Sequence, residues 1–255
     1  MPPPHARPLR RKLLGYRAKQ LINRMLRPLD LEISRRHPFD PFWVQSFLTK
    51  EECPVIFDIG AHIGNISVLY RKLFPSCTIH AFEPFPETFQ TLRQRFNDAP
   101  SVKLNDVAVS DSVGFTSFNA NVSSKTNSIL ATDPRVSEFW PGPFQDTTST
   151  IRVPTTTIDA YSKANAIDTI DILKLDVQGA ELQALRGARS MLENRRIKLI
   201  YMEVILVPTY VDQPHFEDYL QFFRSVGYVM LDMFSPVRQN FRLNQSDIIF
   251  IPAPE

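Results

Sequence analysis

VIFDIGAHIGN, residues 55–65, decides the fold of this 255-residue chain. An acid, Asp58, is set into an apolar run that stops at Gly60, and Gly64 follows before Asn65 opens a stretch with helical spacing. Such a run reads as a strand buried on both faces, and the two glycines let the backbone turn tightly into a helix. Outward from it, apolar runs bounded by turn residues recur at 78–82, 102–107, 170–176, 198–204, 228–233 and 247–251. Helical patterns lie between them near 65–73, 86–97, 180–193 and 215–226. This alternation predicts an α/β, Rossmann-like fold: a mostly parallel sheet with helices on both faces. The last two runs are separated by SPVRQNFRLNQS (235–246) and read as a hairpin, which makes the last strand antiparallel. Residues 39–50 read as a short helix leading into the core.

The segment 119–150 breaks the pattern, being polar, proline-bearing and aperiodic. It is too long for an ordinary connection. Runs at 113–118 and 151–156 predict a strand pair that carries it as a lid, with Phe139 and Trp140 near its tip.

Charge divides the chain in two. Residues 1–36 hold ten Lys or Arg and two acids, whereas the remainder holds nineteen basic and twenty-five acidic groups. Apolar residues at Leu14, Ala18, Leu21, Met25 and Leu29 predict a basic amphipathic helix, ended by Pro28. The expected organisation is an extension over 1–36 and a catalytic domain over 37–255. Residues 9–29 suit an anionic membrane surface, or a packed helix with a solvated basic face. The acidic body and the absence of a binding motif argue against nucleic acid. No apolar run reaches the roughly eighteen residues of a spanning helix, and the start lacks a signal-peptide core. With Cys53 and Cys77 alone, a disulfide framework is not expected and a cytoplasmic location is.

In an open α/β sheet, ligands bind beyond the carboxyl ends of the strands. A dinucleotide site needs G-x-G-x-x-G, with bare amides facing pyrophosphate. Residues 58–64 read D-x-G-x-x-x-G instead, and an acid at that point suits a ligand that is cationic and carries no phosphate. S-adenosylmethionine, with its sulfonium and ammonium, meets that description. Its expected contacts here are Asp58, Gly60, Ala61, Gly64 and Asn65. Glu83 ends the second strand, where a carboxylate accepts hydrogen bonds from both ribose hydroxyls, a feature that would serve NAD equally. Pro84 and Phe85 turn the chain beside the base, and Asp106 and Ala108 end the third strand where the adenine edge is read.

The fourth strand closes in DILKLDVQGAEL (171–182), where alternation puts Lys174 and Asp176 on one face. A buried Lys and Asp are tolerated only when paired or functional. The next strand, LIYMEV (199–204), brings Glu203 beside Asp176. Neighbouring carboxylates repel, which makes a general base or a cation site. Asp176 is the first candidate base and Glu203 the second. Lys174 orients the acceptor or keeps Asp176 ionised. On the acceptor side stand Glu181, whose alternative role is to meet the helix dipole, and His215, a third candidate base. Phe139 and Trp140 offer faces for sugar rings. Two acids could share Mg²⁺ through oxygen ligands, but they make a thin cage, so no metal ligand set is assigned.

DIGAHIGN, AFEPFP, NDVAVSD, TTTIDAY, ILKLDVQGAEL and YMEV occur in this order. The set resembles the FkbM family of S-adenosylmethionine-dependent methyltransferases over roughly residues 53–251. The resemblance implies the class I methyltransferase fold, seven strands with the last antiparallel. It also implies O-methylation of a hydroxyl on a sugar of a glycan or on a polyketide, and the basic N-terminal helix would suit a lipid-linked saccharide. Gln178 departs from the family, which commonly has Glu there. Two rivals remain: an NAD-dependent oxidoreductase, which lacks its third glycine and a Tyr/Lys relay here, and a catalytically silent membrane scaffold.

Overall fold

The computed structural model describes residues 40–254; the expected basic helix of the 1–36 extension lies outside them. Helix α1 (Pro41–Leu48) precedes strand β1 (Val55–Ile59), which the Gly60–Gly64 turn joins to α2 (Asn65–Leu73). Strand β2 (Thr78–Phe82), helix α3 (Pro86–Arg95) and strand β3 (Val102–Asn105) follow. Then come the short β4 (Ala108–Val109), β5 (Gly114–Asn121) and β6 (Thr147–Thr156). The second half runs α4 (Ile158–Ala164), β7 (Ile172–Leu175), α5 (Glu181–Arg186), α6 (Arg189–Glu193) and β8 (Ile200–Ile205). It closes with α7 (Phe216–Ser225), β9 (Tyr228–Gln239) and β10 (Arg242–Pro252).

Seven strands form one sheet in the order β3-β2-β1-β7-β8-β10-β9, the arrangement of a class I methyltransferase. Strands β3, β2, β1, β7 and β8 pair in parallel, while β10 runs antiparallel to both β8 and β9. The strand order reverses direction between β1 and β7, and this opens a crevice at their carboxyl ends. Alternation splits the core between the two faces. Phe57, Ile59, Leu173 and Leu175 pack with Leu182, Leu192 and Phe223 on one face. Ile56, Ile79 and Ile172 pack with Tyr70, Phe74 and Leu92 on the other. A separate three-stranded sheet, β4-β6-β5, carries the long polar segment, and its β5–β6 pair is antiparallel.

Two departures from the sequence reading have a clear physical cause. The helix expected over 180–193 is two helices, because Gly187 comes so close to the Ser110 carbonyl oxygen that no Cβ fits between them. The Asp159 carboxylate then accepts from the Ser190 and Met191 amides at 2.8 and 3.0 Å, starting α6 afresh. The second is at 235–246, where the expected hairpin is present but its strands run longer than the apolar runs. Strands β9 and β10 continue to a two-residue turn at Asn240 and Phe241, both at positive φ (48° and 65°). That is the turn geometry whose twist matches a β-hairpin.

Candidate active site

The turn after β1 is built on close approach. Gly60 has φ +74°, and a Cβ there would collide with the carbonyl oxygen of Asp176. Gly64 has φ +82° and admits the Leu92 and Phe96 side chains where a Cβ would stand. The amides of Gly60 and Ala61 both donate to the Phe82 carbonyl, at 3.1 and 2.9 Å, which ties the turn to β2.

Asp58 is fully buried and register-paired with Lys174 across β1 and β7. One oxygen accepts from Ser67 Oγ at 2.6 Å and the other lies 3.1 Å from Lys174 Nζ. Lys174 also donates to the carbonyls of Gly60 (2.8 Å) and Ile59 (3.2 Å) and lies 3.7 Å from Asp176. Burial works against its charge, but the Asp58 carboxylate, with Asp176 beyond it, leaves its pKa raised. Asp58 therefore stands behind the ammonium, and Lys174, not Asp58, faces the cavity.

A cavity of about 420 Å³ opens at these strand ends. Glu83 lies in its wall, accepting the amides of His62 (2.9 Å, on Oε2) and Phe85 (3.0 Å, on Oε1). Burial raises its pKa to about 7. Gly60, Ala61, Asn65, Pro84 and Ala108, the expected cofactor contacts, line the same space, Gly64 does not, and Phe118 and Ile129 add apolar surface. Phe85 does not line it; its ring stacks behind Phe118 at 6.2 Å. Asp106 is exposed and also stands outside the lining, where Val107 takes its place.

At the other end of the cavity are Asp176 and Glu203. Gln178 bridges them, its Nε2 donating to Asp176 Oδ1 and to Glu203 Oε2 at 2.8 Å each. Glu203 also accepts from Gln245 Nε2. Burial, with Asp176 alongside, pushes the Glu203 pKa well up. Among the described residues no group of three or more His, Cys, Asp or Glu is placed to hold a metal ion.

The segment between β5 and β6 lies against this site. Ser124, Lys125, Thr126, Asn127, Trp140 and Gln145 line the cavity. Backbone bonds from Asp133 to Thr209 (2.9 Å) and from Val211 to Ala131 (2.8 Å) hold the segment to the loop after β8. Trp140 Nε1 donates to Thr209 Oγ1 at 2.8 Å, which fixes its ring at the cavity wall. Phe139 points elsewhere: it packs with Ile205, Val207 and Tyr210 and lies under Arg242 at 5.1 Å.

Two residues expected on the acceptor side lie away from it. Glu181 is buried beneath its own helix turn, accepting the amides of Val177 (2.9 Å) and Gly179 (3.3 Å) and the Tyr219 hydroxyl (3.2 Å). That burial lifts its pKa to about 7. His215 is exposed at the N-cap of α7, its amide bonded to Asp218 at 2.8 Å. Both do the structural work of starting a helix.

The sequence reading passed over His62, Lys125, Tyr210 and Gln245. His62 adopts the left-handed conformation at φ 50°, and its Nε2 lies 2.9 Å from Ser124 Oγ. Burial, then Lys125, lowers its pKa. A histidine between two turn glycines was the available signal; Tyr210 and Gln245 had none, because only the fold brings them to the strand ends.

A seven-stranded sheet of this order, with an acid at the end of β2, has the architecture of the class I methyltransferases. A family model, the methyltransferase FkbM domain, matches residues 58–230, and the chain belongs to that family. It is an S-adenosylmethionine-dependent methyltransferase. The 2-O-methyltransferase NoeI of Sinorhizobium fredii is 29% identical over 188 residues, covering 69% of this chain and 71% of NoeI. The hexuronic acid methyltransferase AglP of Haloferax volcanii is 24% identical over 155 residues, covering 60% of this chain and 57% of AglP. The 31-O-demethyl-FK506 methyltransferase FkbM of Streptomyces tacrolimicus is 38% identical over 61 residues, 24% of each chain.

Proposed function

We propose that the protein O-methylates a hydroxyl group of a sugar in a glycan or lipid-linked saccharide. The observation that carries this is the single cavity that holds Glu83 at one end and the Asp176–Glu203 pair at the other, under a polar segment bearing Trp140. The residues fit the cofactor: an apolar wall of Val107, Ala108, Phe118 and Ile129 suits a flat base, and Glu83 retains acceptor capacity beside it. When bound, S-adenosylmethionine supplies a methyl group on a sulfonium. Glu83 would hold the ribose hydroxyls, and the Gly60–Ala61 backbone would bound the cofactor's amino-acid end.

Methyl transfer needs the acceptor oxygen in line with the methyl carbon, so positioning dominates. A hydroxyl is a weak nucleophile and loses its proton as it attacks. Asp176 Oδ2, which faces only Lys174 at 3.7 Å, is the base in this reading, with Glu203 behind it. The Trp140 ring presents a flat apolar face for a sugar, and residues 119–150 act as the lid. NoeI and AglP, by their names a 2-O-methyltransferase and a hexuronic acid methyltransferase, support a saccharide acceptor. A polyketide hydroxyl is the second reading, supported by the FkbM similarity over 61 residues. No helix among the described residues is long and apolar enough to cross a membrane. The basic charge of residues 9–29 supports peripheral contact with an anionic surface; unchanged vesicle partition after deletion of residues 1–28 would remove that part.

The test incubates the protein with methyl-labelled S-adenosylmethionine and 4-nitrophenyl glycosides of neutral sugars and hexuronic acids. An O-methyl product is expected from at least one glycoside. Binding of S-adenosylhomocysteine without methylation of any glycoside, but with methylation of a macrolide alcohol, would move the reading to the polyketide class.

A further inference from the structure

Gln178 has more to do than fill the turn after β7. It is held at φ 55°, a conformation that costs a non-glycine residue energy and persists where its surroundings demand it. Its amide nitrogen has two protons, and each goes to a different carboxylate, Asp176 Oδ1 and Glu203 Oε2. The opposite end of the amide is set by Tyr210, whose hydroxyl lies 3.0 Å from Oε1, so the nitrogen must face the acids. The single proton of that hydroxyl is shared between Oε1 and the Thr126 carbonyl in the lid, 2.9 Å away. The lid reaches Gln178 a second time through Ser128 Oγ, which donates to the Gln178 carbonyl at 2.7 Å. Close packing of Leu130 and the Tyr210 ring against the neighbouring Gly179 completes the contact.

We propose that Gln178 is a positioning residue that holds the Asp176 and Glu203 carboxylates as one unit and couples their placement to the lid through Ser128 and Tyr210. Two adjacent carboxylates repel each other. A neutral amide that donates to both keeps them side by side, and its fixed geometry passes the lid's position to them. A glutamate at 178 brings no proton when ionised and adds a third negative charge to the cluster. The inference rests on the methyl-transfer reading for its kinetic part only.

Gln178→Met keeps the length of the side chain and removes both donors, while Ser128→Ala removes one lid contact and leaves the acids untouched. Amide hydrogen exchange of the free protein gives a readout that needs no acceptor. Exchange across residues 122–146 is expected to rise about tenfold in Gln178→Met and less in Ser128→Ala, with β1 and β7 unchanged. With whichever glycoside turns over, kcat of Gln178→Met is expected to fall about 10²-fold, with the KM for S-adenosylmethionine within about twofold. Should Gln178→Met fail to fold, Gln178→Leu takes its place in the kinetic measurement and Ser128→Ala carries the exchange measurement. Wild-type exchange across the lid in the folded variants would overturn the coupling. Wild-type kcat in Gln178→Met would overturn the positioning role. If the wild-type protein binds no S-adenosylhomocysteine, the methyl-transfer reading fails while the exchange measurement still decides the coupling.

Discussion

Asp58 and Lys174, neighbours in register on β1 and β7, form an ion pair of 3.1 Å in which the side chains are 0% and 5% exposed. The ammonium holds the turn carbonyls of Ile59 and Gly60 as well, so one cation joins two strands and the glycine turn. Removing one member of a buried pair leaves the other charged and unsolvated, which costs about 3–5 kcal/mol. Lys174→Met is therefore expected to lower the urea midpoint sharply, and Asp58→Asn/Lys174→Met to recover part of the loss. A single variant as stable as wild type would show that the pair contributes nothing.

Glu83 yields a pH dependence with a definite sign. Burial raises its pKa from 4.5 to about 7, so the native state holds a proton that the unfolded chain has released between those values. Stability of the free protein should fall as pH rises from about 4.5 to about 7, and Glu83→Gln should flatten that slope. Cofactor affinity runs the other way, because the ionised carboxylate is the stronger acceptor for ribose hydroxyls. Calorimetric titration with S-adenosylhomocysteine should show weakening from pH 8 to pH 6, and no such trend in Glu83→Gln.

Glu181 separates a structural acid from a binding one. Replacing it by leucine strands the amides of Val177 and Gly179 and the hydroxyl of Tyr219, at about 1–3 kcal/mol for each buried group left unpaired. A drop in melting temperature is expected, with the acceptor KM of the folded fraction near wild type. A raised acceptor KM at unchanged stability would return Glu181 to the substrate side.

Trp140 is the counterpart. Its indole nitrogen is tied to Thr209 while the ring lines the cavity, so Trp140→Leu should raise the acceptor KM about tenfold and leave S-adenosylhomocysteine binding intact. Phe139→Leu, at a packed residue that does not itself line the cavity, should lower stability and change the KM far less.

The main sheet was legible because its strands are buried on both faces and so carry continuous apolar runs; β1, β2 and α2 match the spacing residue for residue. The acids at the ends of β2, β7 and β8 were legible for the same reason, as charges interrupting apolar strands. Gly187 was not, since a glycine inside a helical pattern reveals its role only when the Ser110 carbonyl is seen against it.

Local pattern thus determined the order of strands and helices, the family and the pool of candidate residues, because periodicity and a charge in an apolar run are properties of neighbours in the chain. Tertiary structure decided which of those residues face the cavity. Asp58 and Glu181 read as site acids and became buried supports, whereas Tyr210 and Gln245, unremarked in sequence, meet Gln178 and Glu203 at the strand ends. The reason is physical: a side chain's role follows from which donors, charges and voids surround it, and those are supplied by segments up to a hundred or more residues away, as with Lys174 and the carbonyls of Ile59 and Gly60.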